Sequence, residues 1–430
     1  MNRIELNNKR TINAWAMFDW ANSSFALVIA VAVFPLYFNG MILDDFTFLG
    51  MEMTDTALFS YSLSFAYLII AIMLPLLSGI ADYGGKKILF MKIFTTIGSL
   101  GCIGLVFFKS HDTLDIALVG FILAVIGFAG GQVFYNSYLP LIASEDQYDR
   151  VSAKGFTFGY IGSVILLMVN LAMIQKPEWF GLSDGKFASR VSFVMVGVWW
   201  LGFAQITFRR MPKEKTGIPL KGLVRKGYDE ILKVANIIKD KKNLKRFLFS
   251  FFFYIAGVQT VIYLASTFAT DELKFEAFDL ILTIFILQLV AIIGAIFFAR
   301  ISEKFGNKLS LIAMLIIWSC ICVAAYFVYK KFDFYLVAVA VGLVMGGIQS
   351  LSRSSYSKLI PAGTTDTASY FSFYDVLEKI AITIGTFSFG FIEQLTGGMR
   401  NSILALIIYF IIGIGLLLTV SFKKPKEVRV

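Results

Sequence analysis

Twelve apolar runs, each about the length of a membrane-crossing helix, follow one another along this 430-residue chain. They lie at residues 14–39, 56–80, 88–108, 114–139, 152–175, 189–208, 246–268, 277–299, 309–329, 333–356, 368–391 and 399–422. A hydrocarbon core of roughly 30 Å needs about 20 helical residues to cross it. Backbone groups in lipid must be bonded within their own segment, and runs of this length without period-2 alternation are helices rather than barrel strands. The chain therefore reads as an all-α integral membrane protein of twelve transmembrane helices, numbered 1 to 12 below. Composition agrees: 57% of residues are hydrophobic and only 16% are charged. The first run is too long for a cleavable signal and is followed by no small-residue cleavage pattern, so it is expected to remain as helix 1.

The net charge of +10 raises nucleic acid as a partner, and the placement of the bases argues against it. Of 39 Lys and Arg, 30 fall in or beside the termini and alternate loops on one side, counting bases near a span end with the adjacent loop, 8 fall in or beside the loops on the other, and Lys379 is set apart inside a span. The first opposite loop holds Asp44, Asp45, Glu52 and Asp55 and no base. By the positive-inside rule both termini and the long loop at 209–245 are expected in the cytoplasm. The basic excess is thus a topology signal, with anionic lipid headgroups as its partner. Within that loop Ile231, Val234, Ile237 and Ile238 recur at helical spacing, which reads as an amphipathic helix on the membrane surface tethering residues 1–208 to residues 246–430.

The two six-helix halves repeat each other. A shift of 221 residues carries "GIADYGGKK" onto "RISEKFGNK", placing Asp82 on Glu303, Gly85 on Gly306 and Lys87 on Lys308. The same shift puts Gln132 on Arg353, Tyr135 on Tyr356 and Pro140 on Pro361. One offset serving two separated segments indicates an ancient duplication, the usual ground plan of a transporter. In these loops the acid can accept from backbone N–H groups at a neighbouring helix start, the glycines allow a tight turn and the lysines sit at the headgroups. "GGKK" is not a phosphate loop: Ile80 stands where the first glycine belongs and Lys87 where Ser or Thr should be.

Twelve helices in two six-helix repeats, with "GIADYGGKK" between helices 2 and 3, resemble the major facilitator superfamily. Within it, "WAMFDWANSSF", "FYNSYLPLIA", "GGIQSLSRSSYSKLIP" and "YFSFYDVLEKIAITIGTFSFG" resemble the subfamily that includes the fungal vacuolar amino-acid effluxer of autophagy. Helix 7 departs from it, with Ile255 and Ala256 where many relatives carry a polar or acidic pair. The resemblance implies two pseudo-symmetric six-helix bundles, with helices 1, 4, 7 and 10 lining a central cavity.

The polar inventory of the spans agrees with that arrangement. Helix 1 carries Asp19, Asn22, Ser23 and Ser24; helix 4 carries Gln132, Tyr135 and Asn136; helix 7 carries Tyr254, Gln259 and Thr260; helix 10 carries Gln349, Ser352 and Arg353. Asp19, Asn22 and Ser23 share one helix face. Asp19 has two readings. It is either an acid near a helix N-terminus, where the macrodipole favours it, or a cavity group that pairs with a cation or takes up a proton. Arg353 is read as a partner for Asp19, as a ligand for a substrate carboxylate, or as an interfacial topology arginine. In helix 11, Asp375 and Lys379 stand at i and i+4 and neutralise each other, leaving Glu378 over. A cytoplasmic gate with the Asp82 loop is the favoured role of this trio, and a proton-carrying Glu378 the rival. The expected substrate and proton cavity is Asp19, Asn22, Gln132, Tyr135, Asn136, Gln259, Gln349 and Arg353. The expected cytoplasmic gate is Asp82, Gly85, Lys87, Glu303, Gly306, Lys308, Asp375, Glu378 and Lys379.

Nothing in the sequence supports an enzyme or a cofactor. The single histidine, His111, follows Lys109 in a short outer loop and reads as a surface residue; Cys102, Cys320 and Cys322 lie within spans and read as packing residues. Gly155, Gly159 and Gly162 read as a close-packing face of helix 5. The expected function is a secondary active transporter, working as a monomer in the bacterial cytoplasmic membrane by alternating access. It is expected to move a small solute, amino acids first, with protons as a coupling partner. A lipid or drug exporter of the same fold and a non-transporting sensor stay open as alternatives.

Overall fold

The computed structural model describes residues 5–42, 46–48, 51–212 and 223–422. The acids Asp44 and Asp45, part of the linker and the basic C-terminus lie outside the described residues. Among those described, all regular structure is helical except one short antiparallel hairpin, Phe46–Phe48 with Met51–Met53, in register Phe46 to Met53.

Among the described residues, eleven helices are long and apolar enough to cross a membrane. The remaining run, helix 11 at Thr367–Thr396, has 30 residues and carries Asp375, Glu378 and Lys379, which dilute its apolar character without shortening it. Helices run past the apolar runs because polar residues in the headgroup zone continue the same hydrogen-bond ladder. Helix 1 starts at Lys9 and extends to Asn39, helix 5 is Tyr148–Gln175 and helix 7 is Lys242–Leu273. Helix 1 also contains a π-helical stretch, Phe25–Ala32, in which the Val33 N–H donates to the Val28 carbonyl at 2.8 Å.

The chain divides into two compact units that do not follow its halves. One is Lys9–Asn136 with Phe158–Tyr228; the other is Met1–Asn8, Ser137–Thr157 and Asp229–Val430. In the first, glycines let helices meet at backbone distance. A methyl group added at Gly101 of helix 3 (Lys87–Gly104) would lie 2.6 Å from the Gly120 carbonyl oxygen of helix 4 (Leu114–Ser137). Gly159 and Gly162 bring helix 5 against Ser23 and Trp20 of helix 1, so this glycine face is used for packing. In the second unit, helix 8 (Ala277–Phe305) and helix 10 (Lys331–Leu359) are similarly close. Gly342 faces the Leu287 carbonyl, and a methyl group on Gly346 would collide with the Ala291 carbonyl oxygen.

Helix 10 is unusually polar for a buried helix. Its serines solve this locally, since the Ser350, Ser354 and Ser357 hydroxyls donate to carbonyls three or four residues back on the same helix. Cys102 and Cys322 are buried as expected, but Cys320 is exposed, because it stands two residues, over half a turn, from Cys322. His111 is half-buried in the short 3₁₀ turn His111–Thr113.

Candidate transport site

In the first unit the polar groups of helices 1 and 4 meet. Asp19 is only 3% exposed, and the Tyr135 hydroxyl donates to its Oδ2 at 2.6 Å. Tyr135 is fixed from the other side: Trp15 stacks on its ring at 4.4 Å and donates its indole N–H to the Tyr135 carbonyl at 2.9 Å. Phe18 stacks on the same ring at 5.1 Å. Three residues beyond Asp19, Asn22 is fully buried, and neither its amide nitrogen nor its amide oxygen has a hydrogen-bond partner among the described residues. A buried amide with all its capacity unused is costly unless something occupies it, which marks this face as able to bind a polar ligand. Gln132 and Asn136 of helix 4 are half-buried. The π-helical stretch begins directly beyond this face, at Phe25.

In the second unit a charged cluster joins helices 7 and 11. The Gln259 side chain donates to Glu378 Oε1 at 3.0 Å, and Lys379 lies 3.3 Å from Glu378 and 3.4 Å from Asp375. The structure therefore corrects the expectation that Glu378 is left over. The flexible Lys379 stem lets one ammonium serve both acids, and Gln259, expected in the cavity, meets a residue expected in the gate. Asp375 is 4% exposed, and its Oδ2 has no hydrogen-bond partner among the described residues. Two carboxylates against one ammonium leave one excess negative charge inside spanning helices.

Arg353 is 3% exposed, on the buried face of helix 10. Its Nε donates to Ser152 Oγ at 2.9 Å, its Nη2 donates to the Ser152 carbonyl at 2.7 Å, and its guanidinium covers the Phe156 ring at 4.2 Å. Nearby, Tyr254 OH and Ser352 Oγ are 2.8 Å apart, and Gln349 is half-buried.

The two equivalent turns share a backbone and differ in chemistry. Gly85 and Gly306 have φ of 59° and 83°, a region that favours glycine, at the ends of helix 2 (Asp55–Gly84) and helix 8. Asp82 is ion-paired with Lys87 at 2.8 Å, and Lys87 is 3% exposed. This corrects the placement of Lys87 at the headgroups: a lysine at the first turn of helix 3 folds back onto the buried acid. Lys308 instead donates to the Val420 carbonyl at 3.0 Å beyond helix 12 (Met399–Leu418), and Glu303 pairs with Arg150.

Sequence reasoning missed the most complete polar cluster of the second unit. Asp149, 1% exposed, accepts from Ser302 at 2.9 Å, from the Asn307 amide at 2.8 Å and from Lys358 at 2.7 Å; Lys358 also donates to the Asn307 Oδ1 at 2.7 Å. Arg150 to Glu303, Ser152 to the Ser350 carbonyl and Ala153 against Ala295 and Ala299 continue the contact, binding segment Ser137–Thr157 to helices 8 to 10.

The linker helix is Leu223–Asp240. Its Lys233 donates to both Glu230 and Asp366 at 2.8 Å, and these bonds raise the lysine pKa. Burial pushes the Asp366 carboxyl up, but the Lys233 and Glu230 bonds outweigh it and hold the group below its ordinary value. Burial raises Glu230.

Comparison with solved structures defines the class. The chain matches the major facilitator superfamily transporter FucP in its outward conformation with a TM-score of 0.71 over 96% of this chain and 100% of that one, at 14% identity. It matches the proton:xylose symporter XylE with a TM-score of 0.72 over 97% and 96%, at 13% identity. The fold is therefore that of a major facilitator transporter. Among curated proteins it is 32% identical to the uncharacterized MFS-type transporter YxiO of Bacillus subtilis, over 97% of this chain and 96% of that protein. It is 26% identical to autophagy-related protein 22 of Kluyveromyces lactis, over 94% and 92%. The chain belongs to the "Vacuole effluxer Atg22 like" family, whose profile matches residues 7–428. It is an MFS-type integral membrane transporter, not an enzyme.

Proposed function

We propose that the chain is a secondary active transporter that exports a small amphiphilic solute, amino acids first, by proton-coupled alternating access. In this reading it works as a monomer in a bacterial cytoplasmic membrane, with both termini cytoplasmic and residues 1–208 and 246–430 forming the two bundles. Export is favoured by the effluxer family, and amino acids by the subfamily resemblance of the sequence. The observation that carries the site is Asp19, a buried carboxylate held by Tyr135 beside the unused amide of Asn22. An amide and a carboxylate on one helix face match the ammonium and carboxylate of an amino acid, and the carboxylate can also exchange a proton. In the first unit Gln132 and Asn136 add to this lining in the proposal, and in the second Gln259, Gln349 and Arg353 are the candidate ligands. Within the second unit segment Ser137–Thr157 acts as a cytoplasmic latch through Asp149; the gate groups are Asp82 in the first unit and Glu303 with the helix 11 groups in the second.

A lipid or drug exporter of the same fold is the alternative reading, and it would need a large apolar chamber.

The test has two stages. Amino acids are screened for thermal stabilisation of the purified protein, since a ligand of the folded state raises apparent stability. The stabilising solute is then followed in proteoliposomes with Asp19→Asn, which keeps the shape and cannot titrate. Retained binding and solute exchange with loss of pH-driven accumulation is the expected result. Full pH-driven accumulation by Asp19→Asn removes Asp19 as the proton carrier, and stabilisation only by lipids or drugs overturns the substrate class.

A further inference from the structure

The linker helix Leu223–Asp240 carries a broad apolar arc, and among the described residues only one flank of it is covered by the protein. On the used side Val234 is fully buried, and Gly227 is so close to helix 2 that an added methyl group would lie 2.8 Å from the Ile80 nitrogen. Ile231, Ile237 and Ile238 are half-buried, Lys226 donates to the Tyr83 hydroxyl at 2.6 Å, and Lys233 holds Asp366. On the other side Val224, Tyr228 and Leu232 are 61%, 57% and 45% exposed. Their spacing of four makes them one continuous stripe along the helix.

Charge says what covers that stripe. On a helical projection of about 100° per residue, Arg225 and Lys239 border the stripe, whereas Asp229 and Asp240 fall well round the helix from it. Arg225 and Lys239 are exposed, as are Lys241, Lys242 and Lys245 just beyond. Lys241 alone separates this helix from helix 7, so its C-terminal end adjoins the start of a spanning helix, the region where lipid headgroups are met. An apolar stripe edged by bases at that level fits an anionic leaflet, with the side chains among the upper acyl carbons and the bases at the phosphates.

We propose that the Val224–Tyr228–Leu232 stripe, with Arg225 and Lys239, is an anionic-lipid-binding surface of the linker helix, separate from the solute site. In this proposal one flank of the helix packs on the protein and the other enters the leaflet.

The full chain, with Cys102, Cys320 and Cys322 replaced by Ala, is labelled with a fluorophore at Tyr228→Cys or, for comparison, Asp229→Cys. It is reconstituted into vesicles of mixed phosphatidylcholine and phosphatidylglycerol. Nitroxide-bearing lipids should quench the label at 228 strongly and the label at 229 weakly. The phosphatidylglycerol nitroxide should quench at 228 at least about twofold better than the phosphatidylcholine one, and Arg225→Gln with Lys239→Gln should equalise the two. Equal quenching at 228 and 229 overturns the proposal and leaves the stripe to a second copy or another protein. Equal quenching by the two lipids in the unaltered background overturns its anionic selectivity. If Tyr228→Cys fails to fold, Leu232→Cys on the same stripe gives the same reading.

Discussion

Removing the Asp149 carboxylate should release the segment Ser137–Thr157 from helices 8 to 10. Asp149 takes three hydrogen bonds, one from the Lys358 ammonium, and both partners are largely out of solvent, with side-chain exposures of 2% and 16%. Asp149→Ala leaves Lys358 with the Asn307 oxygen as its remaining partner in this cluster, a buried charge without its counter-charge. Breaking a buried pair from one side costs about 3–5 kcal/mol. At 1.4 kcal/mol per tenfold, the lower figure moves the attached-to-released ratio by roughly 150-fold. Hydrogen exchange of the amides of residues 137–157 under native conditions reads that ratio directly. The control is Lys358→Met, which removes the charge and keeps the stem. If the two groups act as a pair, the double variant is less damaged than the sum of the singles, with a coupling of about 1.5–3 kcal/mol. A coupling below about 0.5 kcal/mol, with unchanged exchange in the segment, refutes the reasoning.

Gly346→Val puts a branched side chain into the Ala291 carbonyl and should lower stability by about 1–3 kcal/mol or more, seen as a lower melting temperature of the purified protein. Lys379→Met strips both helix 11 acids of their shared cation and should be far more damaging than Glu378→Gln; adding Glu378→Gln to it should restore part of the loss, again by melting temperature. The seat of the linker helix should depend on pH in a definite direction. Asp366 is lowered in the folded protein, so its contribution is full above the unfolded carboxylate value of about 3.9 and is lost as pH falls through the lowered value. Lys233 is raised, so its contribution is full below about 10.4 and is lost as pH rises through the raised value, while protonating Glu230 on acidification relieves the cost of its burial. Exchange protection of residues 229–240 should therefore stay flat from about pH 7 to 10, gaining from Glu230 as pH falls through its raised value, and a loss between about pH 7 and 10 contradicts the pairing.

The spans were legible because lipid leaves a chain few choices: a run of apolar residues must be helical, and its length is set by the bilayer. The repeat was legible too, down to the two glycines at 85 and 306 that share a positive φ. Side-chain partners were not. The rule for i and i+4 found Asp375 with Lys379 but could not see that Gln259 from helix 7 reaches Glu378. Lys87 was read as a headgroup lysine because most loop lysines are, and only the fold shows it buried against Asp82. The Asp149 cluster joins residues 153 to 209 positions apart, each ordinary in its own loop, so no local pattern announces it. The π-helical stretch had one local sign, Pro35 shortly after it, which cannot by itself specify a wider helix.

The chain passes from one compact unit to the other between Asn8 and Lys9, Asn136 and Ser137, Thr157 and Phe158, and Tyr228 and Asp229. No single cut in such a chain yields two fragments that each hold one whole unit. Chimeras that join the first half of one relative to the second half of another therefore inherit a mismatch at Asp149, Arg150 and Ser152, whose partners come from the other parent. They should fail unless residues 137–157 travel with the second half. In lineages that kept the duplicated halves in one chain, substitutions at Ser302, Asn307 and Lys358 are answerable to a stretch of sequence that precedes them by more than a hundred residues.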